Sequence, residues 1–436
     1  MTAMINRPPV HFDSRWRRAF QYVAWLEPFW VVMIGVALLV PSRFLPEAMQ
    51  PDLTFYRPTL TLLLMLFWPI RWLAYGQLTR RTPLDWPLAF MLVWLPVNYW
   101  ASADKALSWT ALSYLLFGVA LYLALINWPP ARRRPQLIGA AILLVGFGLT
   151  LAAPLLTELT LSKLFRVPFF DALLQRLHTL APGNVNANRI AGTLILTIPL
   201  ALALTIRRSW TKRRGLPLLS ALLLVLMLIA LVLTQSRSAY LATAVASTAV
   251  FILRWPRLIY AALVLMVIGL IAMIPIGPRP VLEALSSSSA FNGLDGRLEL
   301  WSRALYAISD FPFTGIGIGT FERVIPVLYP LFSIGPDTTI THAHNLILQV
   351  GVDLGLPGLI AYLALFINTF ALATRSLRDR AAVLDWALTA GAVGGLLAMF
   401  VHGIFDAAVW GSIPAVVPWL LIALVIQVGL PRSEPQ

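Results

Sequence analysis

Runs of about 20 apolar residues recur along the whole chain, separated by short stretches that carry arginine, proline and glycine. A helix of about 20 residues is long enough to cross the ~30 Å hydrocarbon core of a bilayer. The 436 residues are 59% hydrophobic and 12% charged, whereas soluble domains carry about 25% charged residues. Alternating ten-residue strands, which would indicate a membrane barrel, are missing. The sequence therefore predicts an all-α polytopic membrane protein.

The apolar windows predict about twelve transmembrane helices. They lie near residues 21–41, 58–76, 84–100, 106–126, 136–156, 188–206, 216–234, 237–253, 257–276, 355–374, 384–403 and 411–430. The long connections divide the chain into four parts. These are residues 1–180 with about five spans and an outer loop, 181–276 with the central helices, 277–354 as one large loop, and 355–436 with the last helices.

The basic residues are distributed by side of the membrane. About two thirds of the 33 lysines and arginines fall in the two termini and the short connections on one side. Short basic loops mark the cytoplasmic side, so we expect both termini inside the cell and the long loops outside. The net charge of +14 forms no single basic domain or stripe, so nucleic acid is not an expected partner.

The N-terminal sequence and the cysteine content limit the processing and the chemistry expected of this chain. The polar, basic first twenty residues show no cleavable signal peptide, so the first membrane helix is expected to serve as the insertion signal. The chain has no cysteine, which excludes disulfides, thiol catalysis and cysteine-ligated metal.

The connection 277–354 is the longest in the chain. Loops of this length are usually functional when they are not of low complexity. Its aromatic residues, among them Trp301, Phe313 and Tyr329, favour a folded cap of short helices over a loose tether. We expect this cap at the periplasmic face.

Polar side chains collect at the expected outer ends of the helices. They are Asn184, Asn186, Asn188, Arg189, Gln235, Ser236, Arg237, Arg297, Glu299, His342, His344 and Asn345. Arg189 and Arg237 each begin a helix, where the positive end of the helix dipole adds to the guanidinium charge. Such a position suits a phosphate or diphosphate. The alternative is an arginine that only anchors its helix at the head groups.

His344 is the candidate proton acceptor, because a neutral imidazole can take a proton from a sugar hydroxyl. A histidine at a helix entrance is about equally often only a cap. His342 and His344 could also bind a metal together, but two ligands without cysteine or a convincing third make a weak site, so no metal is expected. For Asn345 a capping role is the stronger interpretation, with substrate orientation as the alternative.

Two further patterns are weak. Gly315, Gly317 and Gly319 lack the strand and helix context of a phosphate-binding loop, so a turn that permits close packing is the better interpretation. The acidic residues of the long loop, Asp295, Glu299, Asp310 and Asp337, resemble a glycosidase pair only if they lie close in space, which spacing in sequence does not establish.

Four blocks of the sequence resemble the O-antigen ligase and polymerase superfamily of membrane glycosyltransferases. They are NANRIAGTLILTIPLALAL at 186–204, LTQSRSAYLATAV at 233–245, LDGRLELWSRALYAISDFPFTGIGIGTFE at 294–322 and HAHNLILQVGVDLGLPGLIAYL at 342–363. Arg237 with Leu241, and His344 with Gly355, match the arginine-leucine and histidine-glycine spacings of that family. Arg189 falls in the block where the family places another outer-face arginine. Residues 1–180 show no family motif.

The resemblance implies a metal-independent, inverting transfer of a glycan from undecaprenyl diphosphate to an acceptor hydroxyl at the periplasmic face of the bacterial inner membrane. It implies no cofactor, and its partners are the lipid-linked donor, a glycan or lipid acceptor, and membrane lipids. In this interpretation Arg189 and Arg237 hold the diphosphate and His344 is the base. Asn188, Gln235, Arg297, His342 and Asn345 are candidate substrate-binding residues.

The alternatives separate into two classes of protein. Within the enzyme class, an O-antigen ligase is narrowly favoured over a repeat-unit polymerase, and transfer to protein hydroxyls ranks third. From another class, a lipid-linked glycan flippase or other transporter would require ionisable residues near the membrane midplane. Such candidates are few, and His402 and Asp406 lie near the outer end of the eleventh predicted span.

Overall fold

The computed structural model describes most of the chain. The described residues are 14–39, 53–157, 159, 168–180, 185–207, 215–286, 293–334, 338–378 and 382–430. Within them every regular element is helical. Asn184 and Asp337 of the sequence analysis lie outside the described residues, as do the C-terminal six residues.

Nine helices are described before residue 185. They are α1 (Ser14–Trp25), α2 (Glu27–Leu39), α3 (Leu53–Leu64), α4 (Phe67–Tyr75), α5 (Asp85–Ala101), α6 (Lys105–Asn127), α7 (Pro129–Arg133), α8 (Gln136–Leu156) and α9 (Pro168–Leu180). Local chemistry sets several of their ends. The Asp104 side chain accepts from the amides of Ala106 and Leu107 at the start of α6, and Gly76 ends α4 in the left-handed conformation.

Ten further helices follow. They are α10 (Ala187–Thr205), α11 (Gly215–Thr234), α12 (Arg237–Arg254), α13 (Leu258–Ile276), α14 (Pro278–Ser286), α15 (Gly293–Asp310), α16 (Phe321–Leu328), α17 (Leu346–Arg378), α18 (Val383–His402) and α19 (Val417–Gly429). A 3₁₀ turn at Ile413–Val416 precedes α19. The helix α17 is kinked at Gly355, which has φ 69° and ψ 178°.

Eight of the described helical segments are long and apolar enough to cross a membrane, or up to nine if the bent pair α1 and α2 forms one span. The predicted count of twelve is therefore not confirmed. The predicted span 21–41 is broken by a 41° bend, α5 has 17 residues, and the predicted span 411–430 begins with a turn and leaves 13 helical residues in α19. Gly411, Pro414 and Pro418 interrupt the last of these windows, whereas α5 is as long as its predicted span.

The centre of the bundle is α10, whose residues from Ile190 to Leu204 are buried. Glycines on α18 bring the two helices together. A Cβ added at Gly391 would lie 2.5 Å from the Cα of Leu200, and one at Gly394 would lie 2.7 Å from the Cβ of Pro199. Small residues allow such close backbone approach between helices in an apolar environment.

The segment between α13 and α17 contains three short helices, α14, α15 and α16, as expected for a folded loop. It has an apolar core of its own that includes Leu300, Phe321 and Ile325. A folded unit of short helices is thus present, whereas its location at the periplasmic face stays a prediction.

Gly315 packs against the kink of α17, whereas Gly317 and Gly319 pack against the end of α5 and the start of α6. A Cβ at Gly315 would overlap the backbone of Asp353, and a Cβ at Gly355 would overlap that of Phe313. The Ile316 amide donates to the Val352 carbonyl at 2.9 Å. All three glycines at 315, 317 and 319 have positive φ, so the predicted close-packing turn is confirmed.

Candidate functional site

The site is built around the loop that enters α17, here called the histidine loop (residues 338–345). The backbone amide of His344 donates to Nδ1 of His342 at 3.2 Å, and the two ring centroids are 4.2 Å apart. His344 has φ 50°, a conformation that costs free energy for a residue other than glycine. The loop therefore holds two imidazoles side by side.

Asp406 and Arg297 complete the cluster from other parts of the chain. Asp406 lies in the connection after α18, and its Oδ1 is 3.7 Å from Nε2 of His342. Arg297, near the start of α15, is buried and donates from Nη1 to the Phe405 carbonyl. The Nε of Arg297 has no hydrogen-bond partner among the described residues.

Burial governs the protonation of the histidine loop. It lowers the pKa of His344 to about 3, with His342 and Arg297 acting in the same direction and Asp406 opposing. Burial also lowers the pKa of His342, and Asp406 again opposes. Both imidazoles are therefore neutral at neutral pH in the unliganded protein.

For the pKa of Asp406, neighbouring side chains outweigh burial. Burial alone would raise its pKa, but His342, His344, His402 and Arg297 together outweigh burial and hold the pKa below its usual range. Burial lowers the pKa of Arg297, with Asp406 opposing, and a guanidinium nevertheless stays protonated. The cluster therefore contains one carboxylate and at least one fixed positive charge.

An open cavity of about 170 Å³ lies beside the histidine loop. Its lining residues include Arg189, His342, Gln349, Asp353, Trp410 and Ser412. The exposed Arg189 near the start of α10 also acts on His342 electrostatically. Of the predicted residues, His342 and Arg189 line the cavity, whereas His344 and Arg297 lie in the cluster beside it and are not among the lining residues.

The N-terminus of α10 is capped locally. The side chain of Asn186 accepts from the Asn188 amide at 2.8 Å. Gly192, one turn further, lets His402 of α18 approach: a Cβ at this position would lie 3.3 Å from Nε2 of His402. The half-exposed Asn188 is placed at the entrance of α10, outside the described lining of the cavity.

Arg237 and Gln235 lie at the start of α12. Arg237 is the first residue of the helix and is exposed, and Gln235 has φ 55°. Neither is part of the described cavity lining. The chain neighbour Ser238 has its backbone against His402, so this turn borders the cluster. The assignment of Arg237 as a donor-binding residue stays a prediction.

Asn345 has a structural role in the described contacts. Its Oδ1 accepts from the Leu348 amide at 3.0 Å, and its Nδ2 donates to the Ile404 carbonyl at 3.2 Å. The Leu346 amide donates to the Gly403 carbonyl at 2.7 Å. Asn345 therefore caps α17 and fixes the histidine loop to the end of α18.

Several residues of the site were not predicted as part of it. His402 and Asp406, predicted near the outer end of the eleventh span, lie at the end of α18 and just after it, beside the histidine loop. Gln349, Asp353 and Trp410 were not singled out. Ionisable and amide side chains inside an apolar helix are a detectable signal, and Gln349 and Asp353 carry it in LILQVGVD.

The first half of the chain also contributes. Asn98 on α5 is fully buried, and its Nδ2 donates to the Thr314 carbonyl at 2.8 Å and the Asp353 carbonyl at 2.5 Å. Its Oδ1 accepts from the Ile318 amide at 3.1 Å. Asn98 thus joins the glycine turn to the kink of α17, although residues 1–180 show no family motif.

One group of side chains has the composition of a cation site. Ligand atoms of His342, His344 and Asp406 all lie within 4.8 Å of one another. The positive charges of Arg297 and Arg189, both of which act on His342, disfavour a cation and favour an anion at this place. The prediction of a metal-free site is not tested by this geometry.

The fold and the site together define a polytopic helical membrane protein with a buried polar cluster at one end of its bundle. Residues 222–363, about a third of the chain, match the family model described as O-antigen ligase. This match confirms the predicted resemblance to the O-antigen ligase and polymerase superfamily of membrane enzymes. The chain matches no curated protein. Arg237, Arg297, His342 and His344 fall within the matched segment, whereas Arg189 and Asp406 lie outside it.

Proposed function

We propose that this protein is a membrane glycosyltransferase that moves a glycan from undecaprenyl diphosphate to an acceptor hydroxyl at the periplasmic face of the inner membrane. The observation that carries the proposal is the cluster of His342, His344 and Asp406 beside the buried Arg297. Such a cluster can bind an anion and accept a proton at the same place. The family match at residues 222–363 supports this class of reaction.

The arginines supply the anion site. Arg297 is 4% exposed and has an Nε with no partner in the described part of the chain. A buried donor that lacks a partner costs free energy unless a ligand satisfies it. A diphosphate oxygen would satisfy it, and Arg189 beside the cavity adds a second guanidinium. Arg237 is proposed to contribute from the adjacent start of α12.

His344 is proposed as the general base. The acceptor hydroxyl gives its proton to a ring nitrogen of His344 while its oxygen bonds to the anomeric carbon. The bond from that carbon to the diphosphate oxygen breaks, and its electron pair stays on the leaving lipid diphosphate. Attack from the face opposite the leaving group inverts the anomeric configuration. The arginines stabilise the charge that builds on the diphosphate.

The low pKa of His344 belongs to the protein without substrate. Burial and His342 lower it to about 3, where an imidazole is a weak base. A bound diphosphate brings negative charge next to the ring and raises its pKa toward the operating pH. In this proposal the donor activates the base, so the proton acceptor becomes effective only when the leaving group is in place.

The donor chemistry is common to ligases and polymerases, which differ in the acceptor. We propose the ligase reaction first, in which a finished glycan passes to a lipid or other acceptor. The polymerase reaction, in which the acceptor is another lipid-linked repeat unit, is the alternative. Both termini are proposed to be cytoplasmic and the histidine loop periplasmic, following the distribution of basic residues.

The test uses the purified full chain in proteoliposomes with a labelled polyprenyl-diphosphate oligosaccharide. One arm offers a lipid acceptor and the other only further donor, so capped lipid or a ladder of longer chains separates the two reactions. His344→Gln is compared with His178→Gln, a histidine of α9. We expect His344→Gln to lose at least about a hundredfold in rate and His178→Gln to match the wild type. EDTA should leave the rate unchanged. Wild-type transfer by His344→Gln would overturn the proposed base.

A further inference from the structure

A run of buried hydrogen bonds lies behind the histidine loop. The Ala343 amide donates to Oε1 of Gln349 at 2.7 Å, and Nε2 of Gln349 donates to Oδ1 of Asp353 at 2.9 Å. Nε1 of Trp410 donates to Oδ2 of Asp353 at 2.7 Å. We call these four residues the Asp353 relay.

The relay connects three elements of the site. Gln349 and Asp353 are four residues apart on the first part of α17, so they lie on one face of that helix. Ala343 belongs to the histidine loop, and Trp410 precedes the 3₁₀ turn before α19. Gln349, Asp353 and Trp410 also line the cavity. Two side chains of α17 therefore connect the histidine loop to Trp410: Gln349 holds the loop and Asp353 holds Trp410.

Burying the polar side chains of the relay costs free energy. Gln349 is 2% exposed and Asp353 is 1% exposed in a core made of leucine, alanine, valine and isoleucine. A buried carboxyl group and amide cost free energy that apolar residues of the same size would not. The relay therefore stabilises a particular geometry more than it stabilises the fold.

The relay holds the backbone nitrogen of Ala343, the residue between the two histidines. Ala343 has no functional side chain, but its amide nitrogen belongs to the peptide unit that joins it to His342, and His344 follows directly. His344 then takes φ 50°, from which its own amide reaches Nδ1 of His342. Loss of the Gln349 contact would free this peptide to rotate, and both rings would turn with it.

We propose that Asp353 is a positioning residue of the transfer site, which acts through Gln349 and the Ala343 amide to orient His342 and His344 toward the cavity. This inference rests on the proposed function. Asp353 itself touches neither donor nor acceptor in this role. Its two oxygens accept from two donors and so fix which way the Gln349 amide points.

The relay can be tested by exchanging the side-chain amide of Gln349 with the carboxyl group of Asp353. In Asp353→Asn the new amide nitrogen faces Nε2 of Gln349, so two donors meet. In Gln349→Glu two carboxyl groups meet. In the double variant Gln349→Glu with Asp353→Asn, the carboxylate introduced at position 349 accepts from the Ala343 amide and from the side-chain amide introduced at position 353. The oxygen of that introduced amide accepts from Trp410. All three hydrogen bonds are restored with the groups exchanged.

The first readout is turnover per folded protein in proteoliposomes. We expect each single variant to lose about tenfold or more in kcat with little change in KM for the donor, and the double variant to recover to within about threefold of wild type. The control is Gln427→Met at the other end of the bundle, where a buried amide donates to the Leu125 carbonyl. It should lower thermal stability without lowering turnover of the folded fraction.

The second readout does not depend on transfer. Hydrogen exchange of a peptide that covers 338–346 should be faster in both single variants and return to the wild-type rate in the double variant. If wild-type protein transfers no glycan, the proposed function fails and the exchange data still test the relay. A double variant no better than the worse single variant in both readouts would overturn the relay. Single variants with wild-type turnover would overturn the positioning role.

Discussion

Nδ1 of His342 accepts a hydrogen bond from the backbone amide of His344, and this contact fixes the proton of His342 on the other ring nitrogen. The Nε2 that carries this proton lies 3.7 Å from Oδ1 of Asp406. The Asp406 carboxylate, the His342 imidazole and the His344 backbone amide therefore form an ordered series. The contact of His342 with His344 joins residues close in the chain, and its contact with Asp406 joins residues distant in the chain.

Asp406→Asn should slow transfer without preventing insertion. The substitution keeps the size of the side chain and removes the negative charge next to His342 and Arg297. We expect kcat to fall by about tenfold to a hundredfold, the range for residues that orient a reacting group. Initial rates in proteoliposomes measure the effect. The control Asp295→Asn alters an exposed partner of Arg279, and an equal loss in both variants would contradict a specific role for Asp406.

Arg297→Lys should also impair transfer, although the charge is kept. A lysine has no planar fork and cannot both hold the Phe405 carbonyl, as Nη1 does, and satisfy a diphosphate oxygen. We expect a loss of about a hundredfold, or roughly 3 kcal/mol in the barrier. Arg279→Lys, on the exposed side of α14, is the matched control. Wild-type rates for Arg297→Lys would exclude simultaneous binding of the Phe405 carbonyl and a diphosphate oxygen by Arg297.

The pH dependence of the reaction should differ between free and donor-bound protein. A general base must be unprotonated, so the rate falls as pH drops through its pKa. With the pKa of His344 lowered to about 3, kcat/KM should lack a histidine limb near pH 6.5. The limb of kcat should appear at higher pH, because the bound diphosphate raises the pKa of the base. Coincident limbs near pH 6.5 in both profiles would contradict the buried, neutral imidazole.

Acid should destabilise the folded protein through the same residues. His344 has a folded-state pKa of about 3 against an ordinary value of 6.5, so the unfolded chain binds a proton first as pH falls. Its contribution to the free energy of unfolding is complete above pH 6.5 and is lost between about pH 6.5 and 3. Thermal unfolding in detergent at pH 7.5 and pH 5.0 measures this loss. His344→Gln should reduce the pH dependence, and an unchanged dependence would refute the linkage.

Gly355→Ala should weaken the connection between α17 and the glycine turn. Gly355 has positive φ, and an added Cβ would overlap the Phe313 carbonyl. The backbone conformation alone costs about 1–3 kcal/mol for a residue other than glycine, and the overlap adds to it. Gly148→Ala in α8, where nothing lies within 4 Å of the added Cβ, is the control. We expect a lower melting temperature for Gly355→Ala and no loss for Gly148→Ala.

The class of fold, the approximate positions of the helices and the most important block of the site could be predicted from sequence alone. Apolar length and composition act locally, so windows such as 136–156 and 216–234 agree with α8 and α11 to within a residue. The histidine loop was also recognisable, because its motif is contiguous. The close-packing function of the glycine turn followed from its lack of a strand and helix context.

The contacts between distant polar residues could be found only in the folded chain. Asp406 is 62 residues from His344 in the numbering of the chain, and nothing local to FDAAVW indicates its partner. Breaks inside apolar windows, such as the bend between α1 and α2, depend on packing that hydropathy does not contain. The Asp353 relay joins α17 to Trp410 and the histidine loop. Hydrogen bonds between distant segments depend on positions in space, whereas a sequence pattern records only neighbours along the chain.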